Sequence, residues 1–155
     1  GMGCAGAGPG AGPGAISSEE RARIEQEILE LELAVDRAYE SNDLETYWSF
    51  YADDLSQFWD TGRVTLEQYK KQWTELVEGG GGVLESRSED IQVRVSPAGD
   101  AAIVTYPLFV RYRNAEGEET ASWNFETDVW FKLDGQWKMV HYHFSTAAEG
   151  AIVPE

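Results

Sequence analysis

Asp128 is the residue of this chain whose surroundings best suit acid–base chemistry. It shares one face of a strand-like segment with Trp130, and Tyr142 lies on the following segment. Burial among aromatic side chains disfavours the charged carboxylate and raises its pKa, so Asp128 is a candidate catalytic acid or base. The alternative is a structural carboxylate that is paired with Arg111 or Arg113, or bonded to the backbone.

Asp60 is a second candidate catalytic residue, and a pair of histidines is a candidate metal site. Asp60 opens an Asp-Thr-Gly stretch, so a catalytic role competes with a turn-forming one. His141 and His143 are two residues apart on one strand and therefore share a face, as half of a metal site would. The sequence suggests no third ligand, and alternation puts both histidines opposite Asp128. We therefore predict no metal site and a surface or interface role.

Aromatic side chains are expected to surround the carboxyl groups and to form a ligand pocket. The expected ligand is a small apolar molecule, because aromatic residues dominate the predicted interior. No cofactor is expected, since the chain has neither a Gly-rich phosphate loop nor a set of cysteines. The residues predicted to line the pocket are Tyr47, Trp59, Trp73, Trp130, Tyr142 and Phe144.

A long hairpin, predicted over residues 119–146, must position Asp128. Two runs rich in β-branched and aromatic residues flank Asp134 and Gly135. Asp-Gly is a strong hairpin signal because both central residues of a type I′ turn need a positive φ. A two-stranded ribbon is not stable alone in water, so other elements must cover its apolar side.

Three helices upstream are predicted to provide this cover. The first starts at a capping box formed by Ser17 and Glu20, and its apolar face recurs at helical spacing. A second helix is predicted over residues 44–51, followed by a loop over residues 52–54 and a short strand over residues 55–59.

The third helix and the remaining strands complete the predicted fold. Thr65 and Gln68 form the capping box of the third helix. Residues from 83 onward read as strands, including residues 101–113 and the hairpin. The predicted fold class is α+β, in which a cone-like, curved antiparallel or mixed sheet wraps around three N-terminal helices.

Composition excludes several classes of partner. The formal net charge is −16, which disfavours nucleic acid and anionic membranes, since both are bound through Lys and Arg. No apolar run is long enough to span a bilayer. The apolar fraction of 42% predicts a packed globule. We expect a cytoplasmic protein.

The first 15 residues differ in composition from the rest. They are almost all Gly, Ala and Pro, which predicts a flexible tail over residues 1–15 and a single domain over residues 16–155. Gly3 and Cys4 also fit the end of a bacterial lipobox, so the alternative location is the cell envelope, with the protein anchored as a lipoprotein at Cys4.

The outer face of the predicted hairpin carries Phe125, Val129, Phe131 and Met139. An antiparallel sheet that is open to water on one side normally has a polar outer face. An apolar outer face therefore predicts a homodimer through this surface.

The segment TDVWFKLDGQWKMVHYHFST resembles the C-terminal hairpin of the nuclear transport factor 2-like superfamily. This group includes ketosteroid isomerases, SnoaL-like polyketide cyclases and the association domain of calcium/calmodulin-dependent protein kinase II. The likeness to the association domain is greatest, through its VW, DGxW and VHxHxS pattern. NDL at residues 42–44 and YADD at residues 51–54 also fit. The resemblance spans residues 24–146 and implies a cystatin-like cone, a fold that hosts many functions.

The resemblance to ketosteroid isomerases is partial at the level of single residues. Asp128 falls where these enzymes keep a protonated aspartic acid in the oxyanion hole. Their partner tyrosine would fall at Val35 and their general base at Trp59, one residue from Asp60. A shift of one residue reverses the face of a strand unless a bulge intervenes.

Three functions remain open from the sequence. The first is a SnoaL-like small-molecule-binding domain, with cofactor-free acid–base catalysis of isomerase or cyclase type as its possible chemistry. The second is a non-catalytic dimeric association module, although the association domain's pocket arginines would fall at Pro107, Asp128 and Phe144. The third is an accessory subunit of a larger enzyme. A free pocket favours the first function, and a pocket filled by tryptophan side chains favours the second.

Overall fold

The structure, a computed structural model, describes residues 14–155. The predicted tail over residues 1–15 and the lipid anchor at Cys4 therefore fall almost entirely outside the described residues. Packing begins at Ile16, whose amide N–H donates a 3.0 Å hydrogen bond to the carbonyl of Pro97. Its side chain lies against the backbone at Gly99.

Three helices and seven strands make up the described chain. The helices are α1 (Ser18–Glu40), α2 (Leu44–Ser49) and α3 (Leu66–Glu78). The strands are β1 (Tyr51–Trp59), β2 (Gly62–Arg63), β3 (Gly82–Ser88), β4 (Gln92–Val95), β5 (Ala101–Arg113), β6 (Glu119–Leu133) and β7 (Gln136–Thr146). Both β1 and β2 lie between α2 and α3 in the chain.

The predicted start of α1 is confirmed with one half of its capping box formed, and the predicted capping box of α3 is complete. The Ser17 hydroxyl accepts a 3.1 Å hydrogen bond from the amide of Glu20. At α3 both hydrogen bonds of the capping box form. The Thr65 side chain accepts from the backbone N–H of Gln68, and the Gln68 side chain accepts from the backbone N–H of Thr65. These contacts satisfy amides that have no partner within the helix.

The boundary between α2 and β1 differs from the prediction. The second helix ends at Ser49, and the predicted loop over residues 52–54 belongs to β1. Tyr51 pairs with Met139 of β7, and the amide of Met139 donates a 2.9 Å hydrogen bond to the carbonyl of Phe50. Asp53 and Asp54 lie in an irregular stretch of β1 between the pairs Tyr51–Met139 and Ser56–His141, and local sequence does not reveal this pairing with a distant strand.

The strands form one curved sheet in the order β2-β1-β7-β6-β5-β3, with β4 also paired to β5. The sheet is mixed, because β1 runs parallel to β7 while the other pairs are antiparallel. The long strand β5 pairs with β4 near its start and with β3 near its end. The helices cover the concave face, which confirms the predicted α+β cone.

The hairpin between β6 and β7 is confirmed, with one irregularity. Asp134 and Gly135 have φ values of 50° and 80°, as a type I′ turn requires. The pairing register of the two strands shifts by one residue between Val129 and Trp130. Val140 on β7 therefore has no paired residue on β6. The prediction that Met139 lies on the outer face is wrong. Because of the register shift its side chain points into the core, where it is 1% exposed.

No helix within residues 14–155 combines the length and apolar character that crossing a membrane requires.

Candidate functional site

A cavity of about 500 Å³ lies between the helices and the concave face of the sheet. It is large enough for a drug-sized molecule, because ligand sites typically hold roughly 300 to 1,000 Å³. Its lining residues are Glu32, Val35, Asp36, Tyr39, Tyr47, Tyr51, Trp59, Asp60, Tyr69, Trp73, Tyr106, Val110, Tyr112, Thr120, Ser122, Asn124, Glu126, Tyr142, Phe144 and Thr146.

The mouth of the cavity lies at one end of the sheet. The lining residues exposed to solvent are Asp60, Tyr112, Thr120 and Thr146. They come from the ends of β5 and β7, the start of β6 and the residue after β1. The opposite end, which we call the floor, is closed by buried side chains, including Glu32 and Tyr106. A ligand must therefore enter past Asp60 and Tyr112.

Three carboxyl groups meet at the floor and form what we call the acid cluster: Glu32, Glu126 and Asp128. Glu32 lies one turn after Ile28 on the buried stripe of α1. Glu126 and Asp128 point inward from β6, because they are two residues apart and strand side chains alternate. Glu32 is 2% exposed and Asp128 is 0% exposed, whereas Glu126 is half-buried and lines the cavity.

Tyr106 joins two members of the acid cluster from the neighbouring strand β5. Its hydroxyl lies 2.7 Å from Asp128 Oδ2 and also contacts Glu126 Oε2. A phenol has one proton to donate, so it can donate to only one of these carboxylates. A protonated form of the other carboxyl group can donate to the phenol oxygen in turn. The arrangement therefore suits one neutral carboxylic acid at the floor.

Glu32 is held from the opposite side. The indole N–H of Trp130 donates a 2.7 Å hydrogen bond to Glu32 Oε1. The carboxyl groups of Glu32 and Asp128 are within hydrogen-bonding reach of each other, which again calls for a shared proton. Asp128 Oδ1 receives no hydrogen bond from an N–H or hydroxyl group of the described residues. Only a neighbouring acid or a ligand can supply a donor to this atom.

Burial raises the pKa of every member of the acid cluster. Desolvation raises the pKa of Glu32 to about 7, opposed by hydrogen bonds from its neighbours. Desolvation and then the charge of Asp128 raise the pKa of Glu126. Desolvation and then the charge of Glu32 raise the pKa of Asp128. Because the three groups face one another, each carboxylate formed makes the next ionisation harder.

Asp36 supplies a further carboxyl group to the cavity wall. It follows Glu32 by one turn of α1, and its carboxylate accepts hydrogen bonds from the hydroxyl of Ser86 and the amide of Ser88. Desolvation raises the pKa of Asp36, and these hydrogen bonds oppose the shift. The bonds fix α1 against β3 and hold the Asp36 carboxylate in place.

Tyrosine and tryptophan side chains form the rest of the buried wall, which we call the aromatic wall: Tyr39, Tyr47, Tyr51, Trp59, Tyr69, Trp73, Tyr142 and Phe144. The hydroxyl groups of Tyr47 and Tyr69 are 2.6 Å apart. The indole N–H of Trp59 donates to Tyr142 Oη at 2.9 Å. Hydrogen bonds therefore hold these four rings, ring contacts hold the others, and the wall leaves the cavity open.

The structure places the residues predicted from sequence at different depths. Tyr47, Trp59, Trp73, Tyr142 and Phe144 line the cavity, as does Asp60 at the mouth. Trp130 and Asp128 do not line it: Trp130 is fully buried against Glu32, and Asp128 lies behind Tyr106 and Glu126. The Asp60 carboxylate accepts a 3.4 Å hydrogen bond from Thr146.

Sequence reasoning missed Glu32, Asp36, Tyr106 and Glu126. A signal existed for Glu32, which interrupts the apolar stripe of α1 between Ile28 and Val35. An acidic residue on a buried helix face is rare unless it is paired or functional. Tyr106 carried no comparable signal, because an aromatic residue between apolar neighbours also fits a core strand.

Asp128 is not paired with arginine, which was the structural alternative to a catalytic role. The side chain of Arg111 contacts Glu85 and Glu119, and the nearest carboxylate to Arg113 is also Glu119. No Lys, Arg or His is among the described residues that line the cavity. Within residues 14–155 no group of three or more His, Cys, Asp or Glu side chains has an arrangement suited to a metal ion.

The two histidines lie on the outer face of the sheet, away from the cavity. His141 pairs with Val129 across the hairpin and with Ser56 on β1. Its Nδ1 is 2.7 Å from the Ser56 hydroxyl. His143 is exposed. These positions agree with the surface or interface role expected from alternation.

Comparisons with known proteins agree with this fold. A family model described as the SnoaL-like domain matches residues 28–149. The association domain of C. elegans CaMKII is 22% identical, with a TM-score of 0.65 over 84% of this chain and 100% of that one. A ketosteroid isomerase-like protein from Erwinia carotovora atroseptica is 23% identical, with a TM-score of 0.66 over 85% of this chain and 99% of that one. A candidate scytalone dehydratase from Novosphingobium aromaticivorans is 16% identical, with a TM-score of 0.71 over 85% of this chain and 89% of that one.

Proposed function

The chain belongs to the SnoaL-like domain family, and from this premise we propose that it binds a small, largely apolar molecule in the cavity and performs cofactor-free acid–base chemistry on it. The observation that carries the proposal is the Tyr106 hydroxyl held between the carboxyl groups of Glu126 and Asp128. This arrangement keeps a proton donor and a proton acceptor together at the floor of an open cavity.

Glu126 and Tyr106 are the groups that contact the ligand in this proposal. A neutral carboxylic acid can donate a proton to a ligand oxygen, and the carboxylate can accept a proton from an adjacent carbon. Burial raises the pKa of Glu126 and Asp128 and so favours the neutral acid, which is the form that can donate a proton. The chemistry that fits is isomerisation or elimination by proton transfer.

Asp128 acts through its neighbours in this proposal. It is fully buried and shares the Tyr106 hydroxyl with Glu126, so its ionisation determines which of them carries the proton. Asp128→Asn keeps the size of the side chain but removes its titration. We expect this variant to fold and bind ligand while losing the proton transfer. In this proposal Asp60, which is exposed at the mouth, contacts the ligand as it enters the cavity.

Native mass spectrometry after gentle purification tests ligand binding directly. The proposal expects a non-covalent adduct of a few hundred daltons, or one that forms on incubation with a small-molecule extract. Val110→Phe fills the cavity and should abolish the adduct. Ile103→Phe, on the opposite face of the same strand, is the matched control. Adducts that are equally abundant in both variants would contradict binding in the cavity.

A second candidate function is a dimeric association module. It is favoured by the outer face of β5 and β6, where Ile103, Phe125 and Phe131 are 47%, 39% and 43% exposed. We propose that this face forms a homodimer interface, since a standard interface buries roughly 800 Å² per partner. Dimerisation is compatible with a ligand in the cavity, because the two sites lie on opposite faces of the sheet. A dimer whose cavity binds nothing would favour association alone.

A further inference from the structure

We propose that Trp73 is a specificity-determining residue of the cavity, whose indole N–H selects an uncharged ligand with an accepting oxygen such as a carbonyl. The proposal rests on the proposed binding function and adds the polarity class of the ligand. Its basis is a residue of the lining that carries a buried hydrogen-bond donor without a partner among the described residues.

Four buried side-chain atoms have no hydrogen-bond partner in the part of the chain that the structure describes: Gln57 Nε2, Trp73 Nε1, Asp128 Oδ1 and Trp137 Nε1. Of these four residues, only Trp73 belongs to the lining of the cavity. A buried polar group without a partner is costly and rare in folded proteins. Trp73 is therefore the one of the four that a ligand in the cavity contacts and whose missing partner it can supply.

The two lining tryptophans differ in how they are held. The indole N–H of Trp59 donates to Gln57 Oε1 at 2.8 Å and to Tyr142 Oη at 2.9 Å. Trp73 is held through its ring instead, because it stacks on Tyr39 with centroids 5.5 Å apart and an angle of 23° between the planes. An indole N–H lies in the plane of its own ring, so the stacked Tyr39 ring does not accept it. The packing thus fixes the Trp73 ring and leaves its donor unused.

The chemistry of this donor defines the ligand group that complements it. An indole N–H donates and does not accept, so the ligand must offer an acceptor. An ammonium group and a hydrocarbon both lack an acceptor. Carbonyl, ether and hydroxyl oxygens have one, and an apolar body that carries such an oxygen also fits the aromatic wall.

The lining also favours an acceptor without charge. A carboxylate would meet no Lys, Arg or His among the described lining residues, and burying an anion without a counter-charge is costly. Burial raises the pKa of Glu126 and Asp128 and favours their neutral forms, so the floor suits an uncharged group as well. The formal net charge of −16 adds a long-range field that repels anions.

The contact with Trp73 is separate from the acid cluster. Tyr39, on which Trp73 stacks, follows Glu32 by two turns of α1, which is about 10 Å along the helix. A ligand that reaches both places carries two polar groups on one apolar body. Two separate hydrogen-bonding points fix the orientation of a ligand, which proton transfer at the floor requires.

Three probes with the same hydroxylated bicyclic body test the proposal by isothermal titration calorimetry at pH 7: 7-hydroxy-1-tetralone, 5,6,7,8-tetrahydro-2-naphthol and 7-hydroxy-1,2,3,4-tetrahydronaphthalene-1-carboxylate. The first two differ only in the carbonyl group, and all three carry a hydroxyl group that can reach the floor. We expect the ketone to bind about 10-fold more tightly than the naphthol. The carboxylate should bind more weakly than the ketone.

Trp73→Phe locates the effect, because it keeps an aromatic ring against Tyr39 and removes only the N–H donor and part of the ring. The advantage of the ketone over the naphthol should fall from about 10-fold to less than about 2-fold. Trp123→Phe is the matched control, since Trp123 lies on the outer face of β6 and outside the cavity lining. It should keep the wild-type advantage of the ketone.

Nuclear magnetic resonance of the indole N–H groups gives a readout that a purely structural role of Trp73 would not change. In nitrogen-15-labelled wild-type protein, the ketone should move the Trp73 indole N–H resonance downfield, as a new hydrogen bond does, and the naphthol should not. The resonance is assigned on the wild-type protein, so this measurement stands even if Trp73→Phe fails to fold.

Each other outcome overturns the proposal. If the naphthol or the carboxylate binds wild-type protein as tightly as the ketone, the cavity does not select an uncharged acceptor, and the proposed binding function still stands. If the ketone keeps its advantage in Trp73→Phe, another group selects the oxygen. If no probe binds, the selection by Trp73 fails, and the binding function fails with it only when Val110→Phe also leaves the adducts in native mass spectra unchanged.

Discussion

The indole N–H of Trp130 donates a 2.7 Å hydrogen bond to the carboxyl group of Glu32, across the core from β6 to α1. Both side chains are almost completely buried, at 0% and 2% exposure. The bond places a carboxyl group from the N-terminal helix next to Asp128, 96 residues further along the chain. This one hydrogen bond therefore both links α1 to β6 and holds Glu32 in the acid cluster.

Glu32→Gln should flatten the dependence of stability on pH. The Glu32 pKa is raised from 4.5 to about 7, so the folded protein binds more protons than the unfolded chain between these values. The free energy of unfolding should therefore fall as pH rises through this window, by about 2 to 3 kcal/mol. Glutamine still accepts from Trp130 but does not ionise. Urea unfolding at pH 5, 6, 7 and 8 measures the effect.

Glu27→Gln, at an exposed position of the same helix, serves as the control for that series. It should reproduce the wild-type slope. If Glu32→Gln also keeps the wild-type slope, Glu32 is not protonated in the folded protein.

Tyr106→Phe should destabilise the protein by about 1 to 3 kcal/mol. The substitution removes the hydroxyl that Glu126 and Asp128 share and leaves buried carboxyl oxygens without that partner. Chemical denaturation at pH 6 measures the loss. Tyr112→Phe, on the same strand at the exposed mouth, removes a hydroxyl with no buried partner and should change stability by less than about 0.5 kcal/mol. Equal effects of the two variants would refute the shared hydrogen bond.

Val129→Asp should convert a dimer into a monomer. Val129 lies opposite Ile103 on the outer face, so a new aspartate would bury a charge without a partner at the proposed interface. Sedimentation velocity at micromolar concentration should show a wild-type dimer and a monomeric variant. Thr120→Asp, at the exposed mouth of the cavity on the same strand, should remain dimeric. A wild-type monomer would rule out this interface.

Gly135→Ala should cost about 1 to 2 kcal/mol of stability, because alanine is strained at a positive φ. The φ of Gly135 is 80°, and no atom lies within 4 Å of the added Cβ, so backbone conformation alone is responsible. Asp134→Asn is the control, since asparagine tolerates the neighbouring φ of 50°. Thermal unfolding measures both variants. An alanine variant as stable as the control would mean that the turn adopts another geometry.

Local patterns in the sequence determined the elements that depend on nearby residues. The turn at Asp134 and Gly135 needs only residues that tolerate positive φ, and the start of α3 needs only Thr65 and Gln68. Alternation along β6 likewise placed Asp128 and Trp130 on the same face. Such features are predictable because the bonds that stabilise them join residues a few positions apart.

Only the tertiary structure decided which distant residues meet. Because β1 pairs in parallel with β7, residues 52–54 belong to a strand, and because the register shifts after Val129, the side chain of Met139 points into the core. The acid cluster exists because α1 packs across β6 and brings Glu32 against Asp128 and Trp130. These outcomes depend on long-range partners and on burial, which raises the pKa of each carboxyl group. No local pattern of residue types encodes which of these distant residues meet.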